Sequence, residues 1–200
     1  CALALPAHAD LTVMSWGGAY ERSQVEAYNK PFTAETGIAI NMMAADNPAA
    51  PIKSMVEAGN VTIDVADLEY TDAVRLCDEG ALEEIDPAIL PAAPDGTPAT
   101  EDFLPGALTD CAVASMVFST VYGFDTTKFP DEKPSTLGDF FDTDAFPGKR
   151  GLRRGPKINL ELALMVDGVH PEEVYETLAT DEGVDRAFAK LETIKNDVIW

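Results

Sequence analysis

The chain is poor in the residues that most often do chemistry or bind metal. Its 200 residues include 2 histidines and 3 cysteines. His8 and His170 lie far apart, and neither Cys77 nor Cys111 has a second cysteine or a histidine close by. A metal site needs such ligands grouped at short spacings, so a metal reading fails. Basic residues are also scarce, 14 against 35 acids, for a formal charge of −21. The imbalance runs through both halves, with 16 acids and 4 bases in residues 1–100 and 19 and 10 in residues 101–200. Phosphate backbones and anionic lipids repel such a chain, which argues against nucleic acid and direct membrane adhesion. Acidity of this kind commonly serves only solubility, including in salty surroundings. No apolar run is long enough to span a bilayer, and internal repeats and low-complexity tracts are absent. A nucleophile elbow and a phosphate-binding glycine loop are missing too.

What the chain does have is an apolar content of 46% with 8% aromatics, enough for a real core in one large domain or two small ones. Its most informative stretch is Leu11-Thr12-Val13-Met14-Ser15-Trp16-Gly17-Gly18-Ala19-Tyr20. A run of β-formers ends in Ser-Trp-Gly-Gly, after which Val25, Tyr28 and Phe32 fall at helical spacing. This predicts a strand, a glycine turn and a helix N-terminus, where the backbone can approach a ligand and the first amides point at it. The bland alternative is a βα turn capped by a core tryptophan.

The first residues, Cys1-Ala2-Leu3-Ala4-Leu5-Pro6 followed by Ala7-His8-Ala9, look like the end of a signal core and a small-x-small cleavage site before Asp10. We read residues 1–9 as a signal-peptide remnant and expect export; the rival reading makes Cys1 a lipidated first residue. If Cys1 leaves, Cys77 and Cys111 remain as an even pair in an exported chain, and a disulfide is their simplest use. The alternative is two free buried thiols. At the other end, Asp197-Val198-Ile199-Trp200 reads as a strand in progress, as if the chain were a fragment.

Between these ends, the pattern predicts a helix kinked at Pro31 and stopped by Gly37, a strand over 38–43, a helix over 51–58 and a strand over 61–67. A helix over 70–78, closed by Gly80, follows. This βαβαβα alternation points to a mainly parallel sheet, whose ligands sit beyond the carboxyl ends of strands. Prolines 87, 91, 94, 98 and 105 make residues 86–106 a surface excursion. The β-rich run 111–125 predicts two strand segments, or one passing between two lobes. Five of the second half's ten bases fall within 149–157, read either as a solvated, salt-bridged strand or as an anion contact. Amphipathic helices are expected over 160–165, 171–178 and 182–195.

With these residues in view, the chain from Val13 to Trp200 resembles the extracellular solute-binding proteins of ABC importers, specifically the spermidine/putrescine-binding group. The resemblance rests on Val13-Met14-Ser15-Trp16-Gly17-Gly18-Ala19-Tyr20, on Lys30-Pro31-Phe32 with Glu35-Thr36-Gly37, and on Asp64-Val65-Ala66-Asp67-Leu68-Glu69. Cys77-Asp78-Glu79-Gly80, Leu82-Glu83-Glu84-Ile85-Asp86, Phe118-Ser119-Thr120-Val121 and Pro147-Gly148-Lys149-Arg150 add to it. It implies an α/β, type II periplasmic-binding-protein fold, with a first lobe over 10–113, a hinge strand over 114–125 and an incomplete second lobe over 126–200. It also implies a periplasmic monomer without cofactor or catalytic residues, which captures a solute between its lobes for an inner-membrane permease.

The ligand contacts implied are Ser15, Trp16, Gly17, Glu69, Ser119 and Thr120. A polyamine, a cation on an apolar stem, would take the Trp16 face and the Glu69 carboxylate. One departure concerns the ligand. Where polyamine binders of the group carry acids ahead of a second-lobe helix, this chain has Gly155-Pro156-Lys157-Ile158, with Glu161 a turn further in. Either Glu161 takes over that role, or the ligand carries its own carboxylate, as an opine or amino-acid derivative does, and meets Arg153 or Arg154. A polyamine or related amine leads among these. Two other classes stay open, an exported α/β hydrolase using Ser15 or Ser119 with His170, and a ligand sensor.

Overall fold

Strand β1 (Leu11–Ser15) lies at the centre of a parallel sheet, with β2 (Ile40–Ala44) on one side and β3 (Val65–Ala66) on the other. The computed structural model describes residues 10–200, so the proposed cleavage site and the role of Cys1 lie outside the described residues. These residues fall into two units, divided between Val117 and Phe118. Among them no helix is long and apolar enough to cross a membrane.

In the first unit, β1 runs in register with β2 from Leu11 opposite Ile40 to Ser15 opposite Ala44. Helix α1 (Gly18–Gln24) leads without a break through one π-helical stretch, Val25–Asn29, into α2 (Lys30–Thr36). The expected kink at Pro31 takes this form: the wider turn just ahead of the proline makes room for its ring and tolerates the missing N–H. The spacing of Tyr28 and Phe32 does not mark a buried face, since both are exposed, and the residue that α1 buries is Gln24. Gly37 ends α2 in the left-handed region at φ 76°, its amide donating to the Thr33 carbonyl.

Strand β3 is shorter than the expected 61–67. Asp64 and Asp67 still donate their amides to Thr12 and Met14 of β1, but the Thr12 amide goes to the Asp64 carboxylate rather than to a strand carbonyl. Local side-chain acceptors compete with a ladder in this way. Helix α3 (Ala49–Glu57) packs Ala49, Ile52 and Val56 against Leu76 of α4 (Tyr70–Asp78), with Ile63, Leu68 and Leu82 closing the cluster. The bounds of α4 are those expected. Its Cys77 is joined to Cys111 across 34 positions, with Cα atoms 5.8 Å apart, so the disulfide is present and the free-thiol reading is withdrawn. The loop it closes holds the proline-rich excursion, which contains a 3-10 turn over Pro87–Ile89 and a short helix, α5 (Ala99–Asp102).

The β-rich run 111–125 forms no named strand. One antiparallel bridge, Leu108 with Val113, is made, and beyond it Val117 and Val121 are each 83% exposed. Strand propensity expresses a fit to a pleated, half-covered surface, and this segment has no ladder partner among the described residues.

The second unit opens with α6 (Leu137–Phe141), which the sequence reading missed. A capping box starts it: Thr136 accepts from the Asp139 amide while the Asp139 carboxylate accepts from the Thr136 amide. Strand β4 (Arg150–Gly151) pairs in parallel with β5 (Val198–Ile199), the terminal strand that was expected. Between them lie α7 (Asn159–Val166), a 3-10 turn over Pro171–Glu173, α8 (Val174–Leu178) and α9 (Asp181–Glu192). Ala163, Leu164, Val169, Val174 and Ala187 form the core, ringed by Phe141, Leu160 and Leu178. Helices α8 and α9 meet through Gly183, where an added Cβ would stand 1.9 Å from the Thr177 carbonyl oxygen.

Candidate functional site

In the first unit the carboxyl ends of β1 and β3 lie side by side, and the sequence-derived candidates Ser15, Trp16, Gly17 and Glu69 all fall there. Gly17 is required twice over. Its φ of 75° lies in the left-handed region, and a Cβ there would stand 3.1 Å from the Ala44 Cβ. Its carbonyl then accepts the Glu21 amide and begins α1. Trp16 is half-buried at the lip of this turn.

Ser15 turns inward from the same strand end. It is fully buried, and its Oγ donates to Gln24 Oε1 at 2.6 Å, with a longer approach of 3.3 Å to Asp67 Oδ2. Gln24 Nε2 donates to the same Asp67 oxygen at 2.7 Å. The Tyr20 phenol also interacts with Asp67; burial first, and then this carboxylate, raise its pKa above the ordinary 10.0. The buried polar group formed by Ser15, Tyr20, Gln24 and Asp67 was not foreseen. Gln24 at a position where helical spacing favours an apolar residue was its only local trace, since Asp67 is 43 positions away.

Glu69 is the N-cap residue of α4 in extended conformation, and its carbonyl accepts the amides of Asp72 and Ala73 at 3.0 Å each. Its side chain is half-buried. On α1, Glu21 buries one carboxylate oxygen that has no hydrogen-bond partner.

The second unit sorts the basic segment. Arg150 belongs to the fold: 7% exposed, it donates to the carbonyls of Phe140, Asp142, Phe146 and Gly148 at 2.7–3.0 Å, and its guanidinium lies 5.8 Å from the centre of the Phe140 ring. Lys149 pairs with Asp197 at 3.1 Å. Arg153, Arg154 and Lys157 stay exposed on the loop that leads from β4 to α7. Asn159, 4% exposed, closes that loop by donating to the Arg153 and Gly155 carbonyls at 2.8 and 2.7 Å. Beside it Ile158 holds φ 73°, a strained value for a β-branched residue. Glu161, in the first turn of α7, is half-buried with one carboxylate oxygen buried and unpartnered. Ser119 and Thr120 are exposed on the segment without a ladder. His170 is exposed, its Nδ1 accepting the Glu172 amide at 3.4 Å, and no metal-ligating cluster exists among the described residues.

A parallel sheet with glycine turns and helix N-termini at its carboxyl end places its polar groups where open α/β folds hold ligands. The chain belongs to the bacterial extracellular solute-binding protein family, whose pattern it matches over residues 27–200. It is 44% identical over 190 residues to a gamma-aminobutyric acid-binding protein of Pseudomonas aeruginosa, covering 95% of this chain and 52% of that protein. Among solved structures it is similar to the PBP MotA from A. tumefaciens B6 in complex with glucopine, with a TM-score of 0.85, 32% identity, and coverage of 96% of this chain and 57% of that one. It is also similar to the Atu4243-GABA receptor, with a TM-score of 0.77, 34% identity, and 96% and 55% coverage. The chain thus spans about half the length of the relatives it matches. The fold is of the type II periplasmic-binding-protein class, as expected, and its relatives are binding proteins rather than enzymes. The narrower polyamine group has no counterpart among these relatives.

Proposed function

We propose that the chain is part of the periplasmic solute-binding component of an ABC importer, and that its solute is a small amine carrying its own carboxylate, of the ω-amino acid or opine class. The observation that carries this reading is the approach to α7, where Arg153 and Lys157 stand ahead of the helix and no acid does. A helix N-terminus with cations beside it favours a carboxylate, and an arginine can grip one through two parallel hydrogen bonds. In the first unit, the Trp16 face and the Glu69 carboxylate suit an ammonium on a short apolar stem. The gamma-aminobutyric acid and glucopine named for relatives combine the same two groups, which supports the class. On this reading Gly17 lets the backbone close on the ligand, and Ser119 and Thr120 supply hydroxyls. The protein acts as a monomer, and the ligand-bound state is what an inner-membrane permease recognises.

A thermal-shift panel tests this. Gamma-aminobutyric acid, 5-aminopentanoic acid and glucopine are compared with putrescine and spermidine, since a ligand that binds only the folded state raises the melting temperature by mass action. The amino acids or the opine should stabilise and the diamines should not. Stabilisation by putrescine or spermidine alone would return the chain to the polyamine class.

A further inference from the structure

We infer that Asp67 is the positioning residue of the ligand turn, acting through Ser15, Tyr20 and Gln24 rather than by touching solute; this rests on the reading that the Trp16 turn binds the ligand. The turn leaves β1 at Ser15 and passes through Trp16 and Gly17 into α1 at Gly18, whose first turn carries Tyr20, and the side chains of Ser15 and Tyr20 both reach Asp67. Gln24, the last residue of α1, binds it most closely, at 2.7 Å. The turn is therefore tied at its start, at its end and from behind to one carboxylate on the neighbouring strand end.

The donors and acceptors fix the arrangement. Ser15 has one hydroxyl proton, which goes to the nearer acceptor, Gln24 Oε1 at 2.6 Å, so the 3.3 Å approach to Asp67 is the weaker arm of a forked contact. That bond turns the Gln24 amide so that Nε2 faces Asp67. The Tyr20 phenol interacts with both Asp67 and Gln24. Ser15 is fully buried and Gln24 is 9% exposed, so water cannot easily replace either partner. Each bond is charge-assisted or buried, the setting in which loss of a partner costs most. Glu69 lies two residues beyond Asp67, so the same anchor sets the distance between the Trp16 wall and the carboxylate assigned to the amine. A turn held in its binding conformation before the ligand arrives forfeits less ordering entropy on binding.

The test compares Asp67→Ala, Asp67→Asn and Tyr20→Phe with Ile52→Ala, a buried core change on α3, all in a Trp200→Phe background so that Trp16 is the only indole of the chain. Acrylamide quenching of ligand-free Trp16 should rise about twofold in Asp67→Ala, and gamma-aminobutyric acid binding by calorimetry should weaken about tenfold. Asp67→Asn keeps an acceptor for Gln24 and should fall between, and Tyr20→Phe, which removes a single hydroxyl, should give the smallest change in the same direction. Ile52→Ala should lower the melting temperature yet leave both readouts near the parent. If Asp67→Ala does not fold, the other two variants carry the comparison. Quenching and affinity that track melting temperature alike in all the variants would overturn the inference. A parent that does not bind the amino acid, but whose Trp16 still loosens in Asp67→Ala, would count against the ligand reading and leave the positioning role standing.

Discussion

Replacing Arg150 by methionine keeps most of the stem's volume and removes every donor, which isolates the guanidinium's contribution to the second unit. Four carbonyls accept from it, and one of these, that of Asp142, also takes the Phe146 amide at 3.1 Å, so three lose the only bond seen to them. A buried acceptor left without a donor costs about 1–3 kcal/mol. Three would sum to about 3–9 kcal/mol, but the variant also avoids burying a cation, and water can reach part of a site that is 7% exposed. The lower half applies, about 3–6 kcal/mol. Arg150→Lys restores charge on one nitrogen that cannot fork to carbonyls on several sides, so it should recover less than half. Urea unfolding followed by circular dichroism gives the change, and hydrogen exchange locates it: protection should fall across residues 140–152 and in β5, not in β1 to α4. A loss under about 1 kcal/mol in Arg150→Met would refute the view that the carbonyls depend on the guanidinium.

Other consequences are as direct. Gly183→Ala should destabilise by about 1–3 kcal/mol or more, because the new methyl meets backbone of α8 rather than a side chain that can swing aside; a neutral result in urea unfolding would count against the close α8–α9 contact. The raised Tyr20 pKa means that the folded state keeps its phenol neutral after the unfolded chain has begun to ionise. Its stabilising effect is complete below the ordinary value of 10.0 and is lost as pH rises beyond it, so Tyr20→Phe should flatten the alkaline limb of a stability–pH curve, and an unchanged limb would remove the claim. Reducing the Cys77–Cys111 bond, which spans 34 positions, should cost about 3–4 kcal/mol in the chain-entropy account, read as a lower urea midpoint in dithiothreitol that Cys77→Ser/Cys111→Ser reproduces without reductant.

Local signals explain what the sequence made legible. The strand, glycine turn and helix from Leu11 onward announce themselves through β-formers, adjacent glycines and helical spacing, all within a few residues. Helix α4 was bounded correctly because Gly80 ends it, and the disulfide followed from cysteine parity in a chain read as exported. The failures are non-local. The run 111–125 has strand-forming side chains, but a ladder depends on what lies alongside, and beyond the Leu108–Val113 bridge no described strand pairs with it. The bond between Gln24 and Asp67 joins residues from different strand-helix units, so neither position signals it alone. The resemblance names Ser15 a ligand contact, but its burial beside Gln24 and Asp67 depends on β3, which no residue near Ser15 signals. The basic segment looked uniform in sequence, yet Arg150 turns inward to carbonyls while Arg153 stays on the open loop, a division set by strand alternation and the path of residues 140–148.

The central claim is that the solute carries both an ammonium and a carboxylate, the latter met at the approach to α7. Isothermal titration of the parent and of Arg153→Ala with a short ω-amino acid, and with the diamine of equal chain length, tests it most directly. The parent should bind the amino acid but not the diamine, with an affinity about tenfold or more weaker in Arg153→Ala. Equal binding of the diamine, or an Arg153→Ala variant as tight as the parent, would contradict it.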